Sequence, residues 1–263
     1  MIAIIYTTFL RDELMYKTIQ SILDNWNKDY YLLVGDQGNH TEEKDKWFKE
    51  KGFGLGNKQY IKFEFDVGAY VTRNALIKKV KELKIPYCWI TADSIEFISK
   101  YNCKPIVDFL EENQTRGIVG LDIEKRIPWE GDIEIQNNRF LLDAPQQDKI
   151  EKNEIQYQPV DICRNFFIAK TNCLINNLWD ENFKVGCHEG YFYNLKKTKW
   201  QVFFTNYIRA RYIESKPKDY NKFRRRIYSS ERQKLKKKFN LKGWVKYTPE
   251  MRETFRKFKN KKN

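Results

Sequence analysis

The chain has 263 residues, with 49 Lys/Arg against 35 Asp/Glu and a formal net charge of +14. That charge is concentrated. Residues 216–263 carry 19 basic and 4 acidic side chains, a net +15, whereas the first 215 residues balance 30 basic against 31 acidic. A uniformly basic nucleic-acid packager and an acidic disordered chain are both excluded.

A hydrophobic content of 41% and an aromatic content of 16% suffice for one domain of about 200–250 residues plus an appendage. No apolar run approaches the ~20 residues of a membrane-spanning helix, so no transmembrane segment is expected. The opening MIAIIYTTFLRDEL has neither a basic leader nor a small-residue cleavage site. A cytoplasmic chain is therefore expected (host cytoplasm if viral), or a peripheral one on the cytosolic face of a membrane. Cysteines at 88, 103, 163, 173 and 187 form no CxxC pair, which reads as buried thiols rather than disulfides or zinc ligands. Only His40 and His188 are present, too few for a His-rich metal site.

In chain order, Ile2–Tyr6 reads as a buried strand and residues 12–26 as an amphipathic helix through Leu14, Ile19, Ile22, Leu23 and Trp26. A second strand, Tyr30–Val34, ends in the loop Gly35-Asp36-Gln37-Gly38-Asn39. A polar helix runs from Thr41 to about Glu50, and Tyr60–Phe65 alternates as a strand. Gly68 opens a helix to about Leu83, with Ala69, Leu76, Ile77 and Val80 inward. Tyr87–Thr91 is a fourth strand with Asp93 just beyond it, residues 105–113 a helix, and Gly117–Leu121 a strand. The segment 122–160, with Pro128, Trp129, Gly131, Pro145 and Pro159, reads as irregular and functional. Asp161–Lys170 and Gln201–Thr205 read as strands, and Glu189–Lys197 as a helix. From Lys216 the chain is basic and helix-compatible.

Strands alternating with helices predict an α/β fold, a mainly parallel sheet with helices on both faces. Ligands bind such sheets outside the carboxyl ends of the strands, so the 7–11, 35–39 and 92–96 loops share one rim. On it stand TTFLRDEL, VGDQGN, GAYVTRN and TADS. In that order and spacing they resemble the glycosyltransferase family 2 type of GT-A fold. Downstream, Asp161–Lys170 with its N-F-F, the W-D-E-N-F-K turn at 179–184 and H-E-G-Y-F at 188–192 look like that family's β-1,4-N-acetylgalactosaminyltransferase-like branch. The resemblance covers roughly residues 1–212. It implies a nucleotide-sugar half over about 1–121, an acceptor half over about 122–215, and a basic helical extension over 216–263.

The resemblance implies roles. Thr8, Arg11, Asp36, Gly68, Arg73 and Asn74 bind the nucleotide sugar, with Asp36 on the base and the N–H groups at Gly68 on phosphate. Asp93 is the ligand of Mn²⁺ or Mg²⁺, although Thr91 stands where the family places a first Asp. Where the family often has a histidine ligand after the last strand, Asn206-Tyr207-Ile208-Arg209 stands here, and Arg209 or Arg211 is expected to replace the metal in part. Glu189 is the general base of an inverting transfer, with His188 the second candidate. Trp129, in the irregular segment, reads as a stacking partner for a sugar or a base or, equally, as a loop anchor, and with Asn165 it is placed on the acceptor or polyanion side.

The tail suits no partner, an anionic membrane surface or nucleic acid, through Arg224, Arg225, Arg226, Lys236, Lys237 and Lys238. The reaction implied is transfer from a nucleotide sugar, such as a UDP-sugar, to a hydroxyl of a saccharide or glycan. Two alternatives stand beside it: glycosylation of hydroxymethylated bases in phage DNA, and a nucleic-acid-binding protein on a degenerate transferase scaffold.

Overall fold

The computed structural model describes residues 1–27, 29–124, 129–214, 218–243 and 245–260. Pro128, Lys216 and Trp244 lie outside the described residues, as does the side chain of Arg225.

Strands β1 (Ile2–Thr8), β2 (Tyr30–Asp36), β3 (Lys58–Lys62) and β4 (Tyr87–Ala92) run parallel in the order β3-β2-β1-β4. Helices α1 (Asp12–Asp24), α2 (Glu42–Glu50) and α3 (Ala69–Glu82) connect them. The unbroken apolar run of β1 follows from helices on both faces. Ala3 and Ile5 join Leu76, Ile77 and Val80 of α3 in one core, while Ile2, Ile4 and Tyr6 join Met15, Ile19 and Ile22 of α1 in the other. Thr41 starts α2 by accepting the Lys44 N–H at 3.2 Å.

Then follow β5 (Ile95–Glu96), α4 (Lys104–Glu111), β6 (Arg116–Glu124), β7 (Asp132–Gln136), β8 (Arg139–Asp143), β9 (Ile150–Lys152) and β10 (Ile155–Val160). The chain continues with β11 (Phe167–Lys170), α5 (Thr171–Asn176), α6 (His188–Lys196) and β12 (Gln201–Tyr212). The C-terminal part forms α7 (Lys218–Lys238), β13 (Lys246–Tyr247) and α8 (Pro249–Asn260). The parallel half of the sheet is extended into a mixed one of 10 strands. β11 lies antiparallel between β4 and β6, and β12 pairs parallel with β6 and antiparallel with β10.

Three sequence expectations change. The 122–160 stretch is largely strand, not irregular. Its hairpins turn on residue pairs at positive φ, Asn137-Asn138 between β7 and β8 and Asn153-Glu154 between β9 and β10. Such two-residue turns match strand twist, and Asn tolerates the left-handed region. Of Asp161–Lys170 only β11 is strand. β12 continues past Thr205 to Tyr212 across a register shift between Thr205 and Arg209.

Residues 218–260 pack on the body. Leu235, Leu241 and Met251 are buried in the α3 core, and β13 pairs with β8 in a 3-stranded sheet. The five cysteines are buried and free. Among the described residues no helix is long and apolar enough to cross a membrane.

Candidate active site

The carboxyl ends of β1 and β4, the start of α3, the 184–185 turn and one face of α7 enclose a cavity of about 440 Å³. Thr8, Arg11, Gly68, Arg73, Asp93, Asn165 and Arg224 all line it, so the structure brings these sequence candidates together. Gln37, Asp66, Lys184, Tyr220 and Phe223 line it as well.

Asp93 is buried, and Arg11 pairs with its Oδ1. Among the described residues its Oδ2 has no hydrogen-bond partner. Burial raises the Asp93 pKa, and the nearby Arg11 and Arg224 charges oppose that shift. Thr8 Oγ1 is likewise buried without a partner. The Arg11 guanidinium lies 4.0 Å from the centroid of the Tyr220 ring, a cation–π contact. Arg224 Nη1 donates to Tyr220 Oη at 2.9 Å.

Arg73 is buried, with Nη1 donating to Asn165 Oδ1 at 3.3 Å and its guanidinium 4.7 Å from the Trp179 ring centroid. Burial lowers its pKa. Lys184 Nζ pairs with Asp66 Oδ2 at 2.5 Å. The wall thus carries four cations, Arg11, Arg73, Lys184 and Arg224, against two carboxylates, Asp66 and Asp93.

Several candidates lie away from the cavity. Asp36 does not line the cavity. It is fully buried, and its carboxylate accepts from Gly38 N–H at 2.8 Å, Lys44 Nζ at 3.0 Å and Tyr60 Oη at 2.9 Å. Both its oxygens are engaged, so a base contact has no open acceptor there; Gln37, from the same turn, faces the cavity instead. Asn74 also lies off the cavity. It clips α3 to the 179–181 turn, donating to Trp179 O at 2.8 Å and Glu181 Oε1 at 3.0 Å and accepting Trp179 N–H at 3.1 Å.

The first two N–H groups at the start of α3 are taken. Gly68 donates to Gln37 Oε1 at 2.6 Å and Ala69 to Lys184 O at 3.3 Å. Gly68 itself sits at φ 114, backbone that a side chain would strain. Arg209 and Arg211 pair with Asp122 and Glu96 on the half-exposed side of β12 and do not line the cavity.

On the acceptor side, Glu189 lies in the first turn of α6 and is 6% exposed. Burial pushes its carboxyl up to about 7, and it does not line the cavity. His188 is driven down to about 3, mainly by burial. Its Nε2 lies 2.7 Å from Cys163 O, and its ring stacks on Trp129 at 5.0 Å. A neutral imidazole held this way is a poor base, and the half-buried Trp129 has one partner in the His188 ring.

In the tail, Arg224 turns into the cavity, Arg226 and Lys237 are exposed, and Lys236 is partly covered. Lys238 pairs with Asp180. The five described basic residues, Arg224, Arg226, Lys236, Lys237 and Lys238, do not make one continuous face.

Lys184 was visible in the W-D-E-N-F-K turn but its ionic role was not. Asp66 and Tyr220 had no sequence signal, because their roles depend on contacts across 118 and 209 residues, with Lys184 and Arg11.

The metal assignment meets a donor set that does not suit it. A hard divalent cation seeks about six oxygens. Among the described residues no group of three His, Cys, Asp or Glu could hold one. Asp93 offers one open oxygen beside two arginines, and Thr91 keeps a buried, unpartnered hydroxyl in place of a carboxylate.

No family model matches the chain, and no curated protein matches it in sequence. Solved structures do resemble it. GalNAc-T7 with UDP, GalNAc and Mn²⁺ aligns at a TM-score of 0.60 and 13% identity, over 82% of this chain and 43% of that one. S. aureus TarS 1-349 in complex with UDP aligns at 0.52 and 12% identity, over 81% and 60%. S. aureus TarS aligns at 0.53 and 14% identity, over 86% and 38%. The chain thus spans less than two thirds of each of these structures. With the strand order and the rim cavity, these matches establish that the chain has a GT-A-like glycosyltransferase fold.

Proposed function

We propose that the chain transfers a sugar from a nucleotide sugar, a UDP-sugar by preference, to a hydroxyl of a saccharide or glycan. The observation that carries this reading is the cation-lined cavity at the carboxyl ends of β1 and β4, where open α/β sheets bind ligands. The UDP held by two similar structures supports the choice of nucleotide.

In the proposed reaction the bond between the anomeric carbon and the phosphate oxygen breaks, and its electron pair leaves with the nucleoside diphosphate. The acceptor oxygen bonds to the anomeric carbon from the opposite side, and its proton passes to Glu189. A carboxyl near 7 is matched to proton abstraction at neutral pH. Glu189 follows Lys184 and Val185 of the cavity wall by a few residues, and a base of this kind needs the acceptor to reach it on binding.

The test is a panel of UDP-, GDP- and CDP-sugars, read by thermal shift and by release of nucleoside diphosphate in the presence of sugar acceptors. Stabilisation and release with a UDP-sugar are expected. No stabilisation and no release with any member would reject the reading.

A further inference from the structure

The basic helix α7 forms part of the cavity wall. Tyr220, Asn221, Phe223, Arg224 and Ile227 line the cavity, and their spacing of three and four residues is one face of a helix. That face is seated on the body. Phe223 packs edge-on against Phe9 at 5.1 Å and Phe65 at 6.0 Å. Further along, Glu231 is buried and accepts the Lys184 N–H at 2.8 Å, and Leu235 is fully buried. α7 thus presents Arg224 to the cavity from a fixed support.

The charge it presents is matched by little. Arg11 and Arg224 both engage Tyr220, one over its ring and one at its hydroxyl. Among the described residues their only carboxylate neighbour on the wall is Asp93, since Asp66 is committed to Lys184. Two guanidinium groups beside one carboxylate leave a surplus of positive charge. A divalent cation is repelled by that surplus, and a diphosphate is attracted by it. Guanidinium forks also match phosphate oxygens in geometry.

We propose that Arg224 of α7, with Arg11, binds the diphosphate of the nucleotide, so that side-chain cations rather than a divalent metal ion neutralise the leaving group. This rests on the reading of the cavity as a nucleotide-sugar site. As the bond to the anomeric carbon breaks, negative charge grows on the terminal phosphate oxygen, and the two arginines take it up. The helix is then a working part of the donor site, and its charge serves the donor before any larger polyanion.

The experiment titrates the full chain calorimetrically with UDP and with UMP, once in EDTA and once with Mn²⁺. Arg224→Gln is compared with Arg226→Gln, an exposed position on the same helix. Arg224 is itself exposed, so circular dichroism and Tm should show both variants folded. The parent is expected to bind UDP in EDTA, with Mn²⁺ changing the affinity by less than about threefold. Arg224→Gln should weaken UDP about tenfold or more, the worth of one charge-assisted hydrogen bond, and weaken UMP much less. Arg226→Gln should bind as the parent does.

Binding of UDP only when Mn²⁺ is present, or an Arg224→Gln variant that matches the parent, would overturn the proposal while leaving the donor reading intact. No UDP binding under either condition would remove both.

Discussion

Asp36 and Asp93 stand at the carboxyl ends of β2 and β4, the two strands that flank β1, yet their surroundings give them opposite tasks. Asp36 anchors Lys44, which is 1% exposed at its side chain and also meets Asp12 at 2.8 Å. Removing a partner from a buried charge costs far more than the pair contributes. Asp36→Asn should therefore destabilise the fold by about 3 kcal/mol in urea unfolding, with nucleotide affinity of the folded protein little changed. Asp93, by contrast, lines the cavity and, among the described residues, has a buried Oδ2 with no hydrogen-bond partner. Sequence placed both carboxylates on the rim but could not show which was already satisfied. That depended on Lys44, on a helix read only as polar, and on Tyr60 across the sheet. Glu189 makes a sharper case. As the base it must be ionised, so turnover should rise with pH and level off above about 7. Glu189→Gln should lose that limb and about a hundredfold or more in kcat. Its folded pKa lies above the ordinary value of 4.5, so the folded state holds a proton that the unfolded chain has released. The contribution to stability is therefore greatest at low pH and falls as pH rises from about 4.5 to 7. His188, lowered to about 3, has the opposite slope over much of that range. The readout is accordingly the difference in Tm between Glu189→Gln and the parent at pH 5 and pH 8. The variant should gain on the parent at the higher pH.

At the scale of elements, parallel strands with crossover helices were legible because buried strands read as unbroken apolar runs and helices as spaced ones. The β7–β8 and β9–β10 hairpins were not. Their Asn-Asn and Asn-Glu turns are weaker signals than Asn-Gly, and short strands such as Ile150–Lys152 carry too few residues to alternate. The tail showed helix and charge but not which face turned inward. Phe9 and Phe65, which receive Phe223, are distant in sequence. Glu231 shows how α7 is fixed. It accepts Lys184 N–H and Lys234 Nζ, each at 2.8 Å, and so ties the helix to the turn that also lines the cavity. Glu231→Ala leaves that backbone donor without its partner, and urea unfolding should show a loss of about 2 kcal/mol. Limited proteolysis should also reach α7 sooner than in the parent. A variant as stable and as resistant as the parent would show that α7 is held by its apolar contacts alone.

For the whole molecule, the formal charge of +14 changes meaning once the tail is seen on the body. Its basic residues divide between the cavity, ion pairs such as Lys238 with Asp180, and exposed positions such as Arg226 and Lys237. A polyanion gripping the tail as a single strip would meet only part of that charge. Two cores on opposite faces of one sheet hold the rim in place, and α7 forms one wall of its cavity. The central claim is that this rim cavity receives the donor nucleotide. The most direct measurement is a crystal structure of the full chain with UDP. It should show the nucleotide in the cavity between Thr8 and Asp93, with its diphosphate within about 3 Å of the Arg11 and Arg224 guanidinium groups. UDP bound elsewhere on the chain at saturating concentration, with this cavity holding only solvent, would contradict the account.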